Sequence, residues 1–231
     1  MKMKIILVVL VAIVLVLSHD ANARLVSFTT SGYYDGDFHA KDTNFDGIAD
    51  TTGSQNWCGV DEVTATDAEC RMFLDFSLPA LAAGESIQSA ELRLHRTSYV
   101  GVPSDADLYH LRDKNTTVVS KTYFQAAATL AVTGAVLAGG GHDRIYTMDV
   151  TSEVQSDYAN DPAESQYSIF RLQAQTVTND NDGVSHLHKL ATALYTDPMY
   201  QPTLTLTIVP EPATMILLLG GALGMVIRRK K

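Results

Sequence analysis

Cysteine is scarce in this 231-residue chain: Cys58 and Cys70 are the only two, and Trp57 is the only tryptophan. In an exported chain such a pair is expected as a disulfide. Eleven residues lie between the two, and a loop of that size would contribute about 3 kcal/mol. The alternative is two buried thiols. Long apolar runs are missing as well. The two that exist, Ile5 to Leu17 and Ala213 to Ile227, are shorter than the roughly 20 residues of an ordinary membrane span. Basic residues are few between the two ends. Setting aside six basic and two acidic residues at the ends leaves 11 Lys+Arg against 24 Asp+Glu, a balance of −13. That surface repels phosphate backbones, which excludes nucleic acid as a partner. No Ser/His/Asp set, paired carboxylates, glycine-rich phosphate loop or nucleotide motif stands out, and no internal repeat is visible.

What is there begins with the ends. Met1-Lys-Met-Lys4 is a basic start, Ile5 to Leu17 is apolar, and Ala21-Asn22-Ala23 is an A-x-A site. This predicts a secretory signal helix over 1–23, cleaved after Ala23. The chain closes on Pro210-Glu211-Pro212, a mainly apolar stretch, and Arg228, Arg229, Lys230 and Lys231. The stretch rises about 22 Å as a helix, short of a hydrocarbon core of about 30 Å. The four cations are expected to stay on the cytoplasmic side. The body between the ends, 24–209, suits one domain.

Within the body, alternation of apolar and polar residues marks short strands. In "AELRLHR", Ala90, Leu92 and Leu94 face inward and Glu91, Arg93 and His95 outward. "RMFLDF", "IYTMDV", "IFRLQA" and "TLTLTIV" alternate similarly. Helix signals are few. Thr151 to Ala159 starts on a capping residue and is expected to form two turns. The alanine-rich segment from Gln125 to Ala138 is expected as a mobile or short-helical excursion.

Two resemblances follow. "CRMFLDFSLPALAAGESIQSAELRLHR" resembles the first half of a DNRLRE-type domain, through Arg71, Leu74, Phe76, Leu78, the turn Ala82 to Ile87, then Ala90, Leu92 and Leu94. "YTMDVTSEVQ" and "QPTLTLTIV" resemble its later elements. The resemblance implies a mainly β fold, an antiparallel jelly-roll-like β-sandwich, as found in secreted carbohydrate-active or surface proteins. The tail from Val209 to Lys231 resembles the PEP-CTERM sorting signal: a PEP motif, an apolar transmembrane helix and a basic end. That resemblance implies transient residence in the inner membrane of a Gram-negative bacterium. It also implies processing by an exosortase and a link to extracellular polysaccharide.

The candidate metal site is "KDTNFDGIADTTG", where Asp42, Asn44, Asp46, Gly47 and Asp50 read D-x-N-x-D-G-x-x-D. Calcium takes six to eight oxygens, and a sharp glycine turn lets alternate side chains converge. Asp42, Asn44 and Asp46 would donate side chains, Ile48 its carbonyl, and Asp50 a direct or water-mediated oxygen. The twelfth position is Gly53 rather than glutamate, so the loop is not a complete EF-hand. The alternative is an acidic turn without metal. Asp180, Asp182 and Gly183 read as a hairpin turn, the alternative being a second oxygen site. His186 and His188 read as two surface histidines on a strand, because zinc lacks a third ligand at useful spacing from His142 or Asp143. Aromatic rings near turns, Tyr33, Tyr34, Phe38, Trp57, Tyr195 and Tyr200, suit sugar stacking, with Tyr33, Tyr34 and Trp57 as glycan contacts; the alternative is that they fill the core. The composite expectation is an exported, non-enzymatic carbohydrate-binding or matrix module stiffened by calcium. The alternatives are a polysaccharide-degrading enzyme or its accessory domain, and a purely structural surface protein.

Overall fold

The computed structural model describes residues 23–29, 38–53, 56–62, 67–111, 121–139, 141–160, 167–177, 183–192 and 195–210. The strands are β1 (Arg24–Thr29), β2 (Phe38–Asp42), β3 (Thr51–Gly53), β4 (Trp57–Glu62), β5 (Asp67–Ser77), β6 (Glu85–Val100), β7 (Ala106–Leu111), β8 (Ala128–Val136), β9 (Arg144–Asp149), β10 (Tyr167–Ala174), β11 (His186–Leu190) and β12 (Thr203–Pro210). Among the described residues there is one α-helix, α1 (Thr151–Asn160), and two short 3-10 turns, Lys121–Phe124 and Pro198–Tyr200. The chain divides into a larger unit, Ser27–Pro79 with Ala90–Thr205, and a smaller one, Met1–Val26, Ala80–Ser89 and Leu206–Lys231.

Within the larger unit the hydrogen-bonded order is β6-β11-β4-β5-β10-β7-β8; β9 pairs with β6, β2 with β5, and β3 with β2. The ladders of known register are antiparallel, as the alternating strands predict. β5 is the central element. It pairs with β10 through Met72 to Ser77, with β4 through Asp67 to Cys70, and with β2 through Glu69 to Phe73. Both of its faces are covered, so Met72, Leu74 and Phe76 are buried, and so is Phe73 between them. One apolar cluster joins Ala40, Ala49, Phe73, Leu111, Tyr123, Phe124 and Ile169. It ties the 3-10 turn Lys121–Phe124 to four strands, β2, β5, β7 and β10. Arg171 reinforces this, donating from Nη1 to the carbonyls of Tyr123, Phe124 and Ala126.

α1 forms where its capping signal placed it. The Asp149 carboxylate accepts the Thr151 amide at 2.9 Å and the Thr151 hydroxyl, and the hydroxyl in turn accepts the Ala90 amide at 2.9 Å. These bonds hold the Asp149 carboxyl below its usual range, the hydroxyl bond most of all. Val154 points inward, and the Tyr158 hydroxyl donates to the Pro79 carbonyl at 2.7 Å.

One expectation fails. Gln125 to Ala138 holds strand β8, paired with β7, where a mobile or helical excursion was expected. Thr129, Val132, Thr133 and Val136 favour strand, and the β7 edge supplies the partner that alanine propensity leaves out of account. Asp107 accepts the Gly134 amide and Asp105 the Ala138 amide, which fixes the irregular end of β8.

In the smaller unit, the predicted turn at Ala82 is present. The Glu85 amide donates to the Ala82 carbonyl at 3.0 Å, Gly84 takes φ +80, and the Glu85 carboxylate accepts the Ala82 amide and pairs with Arg24 at 3.0 Å. Ile87, Leu206 and Ile208 are buried there. Among the described residues no helix is long and apolar enough to cross a membrane. The signal segment and the terminal apolar stretch, expected as helices, lie outside the described residues.

Candidate functional site

Trp57 opens β4 and stays half-buried, unlike the four residues after it. Its surroundings come from three strands. His39 of β2 stacks on the indole, with ring centroids 5.4 Å apart and planes 17° apart. A Cβ at Gly53 would stand 2.3 Å from the His39 ring, so only glycine on β3 lets the imidazole lie where it does. Lys189 of β11 is the cross-strand partner of Trp57, and its Nζ lies 5.2 Å from the ring centroid. The Nζ of Lys41 on β2 lies 4.9 Å away and is held by the nearly buried carboxylate of Asp61. Ser185 donates to the other Asp61 oxygen at 3.2 Å. With Lys41 compensated by Asp61, Lys189 leaves one positive charge beside the indole, a local exception on an acidic protein. A flat ring stacks on a sugar face, and the cation suits carboxylate or sulfate substituents.

The loop after β2 is a set of side-chain turns. Asp42, fully buried, accepts the Asn44 amide at 3.2 Å and the Gly47 amide at 2.7 Å. Asn44 accepts the Asp46 amide at 3.1 Å, and Asp46 the Ile48 amide at 2.8 Å. Phe45 and Gly47 take positive φ, 57 and 85, which bends the chain tightly enough to allow this. Asp42, Asn44 and Asp46 thus suit a hard-cation donor set in chemistry and in order. The Asp50 Oδ2 accepts both the amide and the hydroxyl of Thr43, at 2.8 and 2.6 Å. Among the described residues no group of three His, Cys, Asp or Glu side chains is placed to hold a metal ion.

The expected Cys58–Cys70 disulfide is absent: both cysteines are free and buried. The register pairs Gly59 with Cys70, so Cys58 is one position off and the two thiols do not face each other across the ladder. Burial pushes both thiols well above their ordinary pKa. His186 and His188 do lie on one strand, and among the described residues no third ligand joins them. His186 accepts the Val102 amide at its Nδ1, 3.0 Å. His188 is buried rather than at the surface, meets the Ser104 carbonyl at 2.8 Å, and is held below its ordinary pKa mainly by that burial. His142 stacks on Tyr99 and Asp143 pairs with His95, so neither approaches them as a ligand set.

Tyr195 and Tyr200 lie against each other edge to face, 6.0 Å apart. Tyr33, Tyr34, Ala21, Asp180, Asp182, Glu211, Pro212, Arg228, Arg229, Lys230 and Lys231 lie outside the described residues. Ala23 precedes β1, and Pro210 ends β12. Sequence reasoning singled out Trp57 but missed Lys41, Lys189 and His39. Only cross-strand register brings them together, and no spacing along the chain encodes it.

Two sequence families match. The PEP-CTERM protein-sorting motif matches residues 209–230, so the chain carries that signal for export and exosortase processing to the cell surface. Carbohydrate-binding module family 96 matches residues 39–182, a span that takes in β2 through β10 and with them Trp57 and Lys41. No curated protein matches significantly. The chain belongs to carbohydrate-binding module family 96.

Proposed function

We propose that this protein is an exported, non-catalytic module that binds extracellular polysaccharide at Trp57 and prefers chains bearing carboxylate or sulfate groups. The observation that carries the reading is the half-buried indole with the Nζ atoms of Lys41 and Lys189 within 4.9 and 5.2 Å of its centroid. Membership of a carbohydrate-binding family supports the class of ligand. The sorting motif supports the address: transient residence in the inner membrane of a Gram-negative cell, removal of the tail by an exosortase, and delivery to the surface or matrix. The jelly-roll winding suggested by the sequence is the fold type proposed for the larger unit.

The test is co-sedimentation of the full chain, purified in detergent, with insoluble or immobilised polygalacturonate, dextran sulfate and neutral dextran. Retention on the two acidic polymers and loss of retention in Trp57→Ala is the expected result. Equal retention of wild type and Trp57→Ala defeats the assignment of the site. Reducing-end release from any of the polymers defeats the non-catalytic reading.

Calcium is proposed separately, as a stiffener of the loop 42–50, with Asp42, Asn44, Asp46 and the Ile48 carbonyl as its protein oxygens. What supports it is the alternation of oxygen donors through a turn with two positive φ angles.

A further inference from the structure

The outward face of β6 carries a second aromatic feature. Ala90, Leu92, Leu94 and Arg96 are buried, while Glu91 is exposed and Arg93 half-exposed. Alternation therefore turns His95 outward. Yet His95 is only 2% exposed. Tyr200 stacks on the imidazole at 4.3 Å with planes 29° apart, Tyr195 meets it edge-on at 6.1 Å, and the Asp143 carboxylate takes its Nε2. The segment that brings the tyrosines is fixed. Asp197 accepts the Met199 amide at 2.9 Å, and Gln201 Nε2 donates to the Tyr195 carbonyl at 2.9 Å. Tyr195 remains 37% exposed and Met199 51%.

Register places this feature on the same face as Trp57. Cross-strand partners share a face. Trp57 pairs with Lys189, and Lys189 with Ser98. Leu190 pairs with Arg96, so a bulge at Thr97 separates the two pairs. Arg96 and Leu190 point inward together, both buried. Their neighbours His95 and Lys189 therefore point outward together, with Trp57 beyond. From β4 to β6 is two strand spacings, roughly 10 Å, and Ser98 to His95 is roughly 10 Å along the strand. The separation exceeds one sugar ring.

We propose that Tyr195 and Tyr200 form a second sugar-stacking subsite, and that one polysaccharide chain spans from Trp57 across β11 to this pair. The inference rests on glycan binding at Trp57. It adds that the ligand is an internal stretch of several sugars, held at two points. Linking two weak contacts through one chain raises affinity well beyond either alone. The ligand's length therefore matters: a disaccharide reaches Trp57 only, whereas a longer chain reaches both.

Because Trp57 is the only tryptophan, its fluorescence reports its own site in every variant that keeps it. The experiment titrates the full chain in detergent with polygalacturonate, its disaccharide and its octasaccharide, and with dextran sulfate and dextran. Tyr195→Ala with Tyr200→Ala is expected to weaken polygalacturonate and octasaccharide about tenfold, the scale of one lost stacking contact. The disaccharide response is expected to stay unchanged. Tyr195→Phe with Tyr200→Phe keeps the rings and is expected to keep the affinity. Tyr195→Leu alone, at an exposed position, serves if the double alanine variant does not fold. Equal loss for disaccharide and octasaccharide overturns the subsite, since that is the mark of a structural role. So does no loss for either while Trp57 still responds, which leaves the Trp57 reading intact. No response of Trp57 to any of these polymers defeats both.

Discussion

At the scale of single residues, the ammonium groups beside Trp57 and the buried His188 give opposite kinds of electrostatic test. Lys189 is the cross-strand partner of the indole, and Lys189→Gln keeps a polar, slightly shorter side chain and removes the charge. It is expected to weaken retention on polygalacturonate, to leave any retention on neutral dextran unchanged, and to flatten the dependence on salt. Column retention at rising NaCl measures this, and unchanged salt dependence counts against a role for the charge. His188 acts on stability. Burial, and after it the positive charge of Arg96, depress its pKa in the folded protein, against the opposing pull of the Ser104 carbonyl and Asp105. The unfolded chain then takes up a proton that the folded one refuses. The contribution is therefore fully present above about pH 6.5, the ordinary histidine value, and is lost as pH falls below it. Thermal melts at pH 7.5 and 5.5 are expected to show a fall in Tm that His188→Gln reduces. An equal fall in both proteins removes His188 as the cause.

At the scale of elements, the loop 42–50 separates two roles that its sequence merges. Asp42 is buried and holds two amides, so Asp42→Ala is expected to cost about 1–3 kcal/mol with or without calcium. Asp46 is exposed and holds the Ile48 amide. Millimolar calcium is expected to raise Tm in the wild type and not in Asp46→Ala; no rise in the wild type leaves the loop as a self-capped turn. Strands were legible from alternation. "AELRLHR" gave the buried residues Ala90, Leu92 and Leu94 and the exposed Glu91 of β6 but missed that His95 is buried, and the turn at Ala82 and the start of α1 announced themselves through glycine and a capping threonine. The strand β8 was not legible, because alanine propensity says nothing about an available sheet edge. The disulfide was misjudged for a related reason. Cys58 and Cys70 are close in sequence, but pairing of Gly59 with Cys70 puts them out of step. The candidate site was half legible: a lone tryptophan draws attention, while its partners from β2 and β11 depend on long-range register. His95 was expected to face outward yet is buried, and nothing in the sequence signalled that Tyr195 and Tyr200 cover it.

At the scale of the whole molecule, the chain combines an acidic body, a carbohydrate-binding family match and a sorting motif at its end. The balance of −13 keeps the body away from anionic polymers in general, so retention of one needs a local exception, and Lys189 beside Trp57 supplies it, Lys41 being paired with Asp61. Export and trimming make a separate prediction. Intact mass of the mature protein from its native host is expected to lack residues 1–23 and the Arg228 to Lys231 end, and a surface form that retains that end contradicts exosortase removal. The central claim is that polysaccharide lies on the Trp57 ring. Titration of the full chain with polygalacturonate, dextran sulfate and dextran, followed by the emission of its single tryptophan, tests this most directly. A saturable change with an acidic polymer, weakened by salt and by Lys189→Gln, is the predicted result. Emission that stays constant through all three titrations contradicts the account.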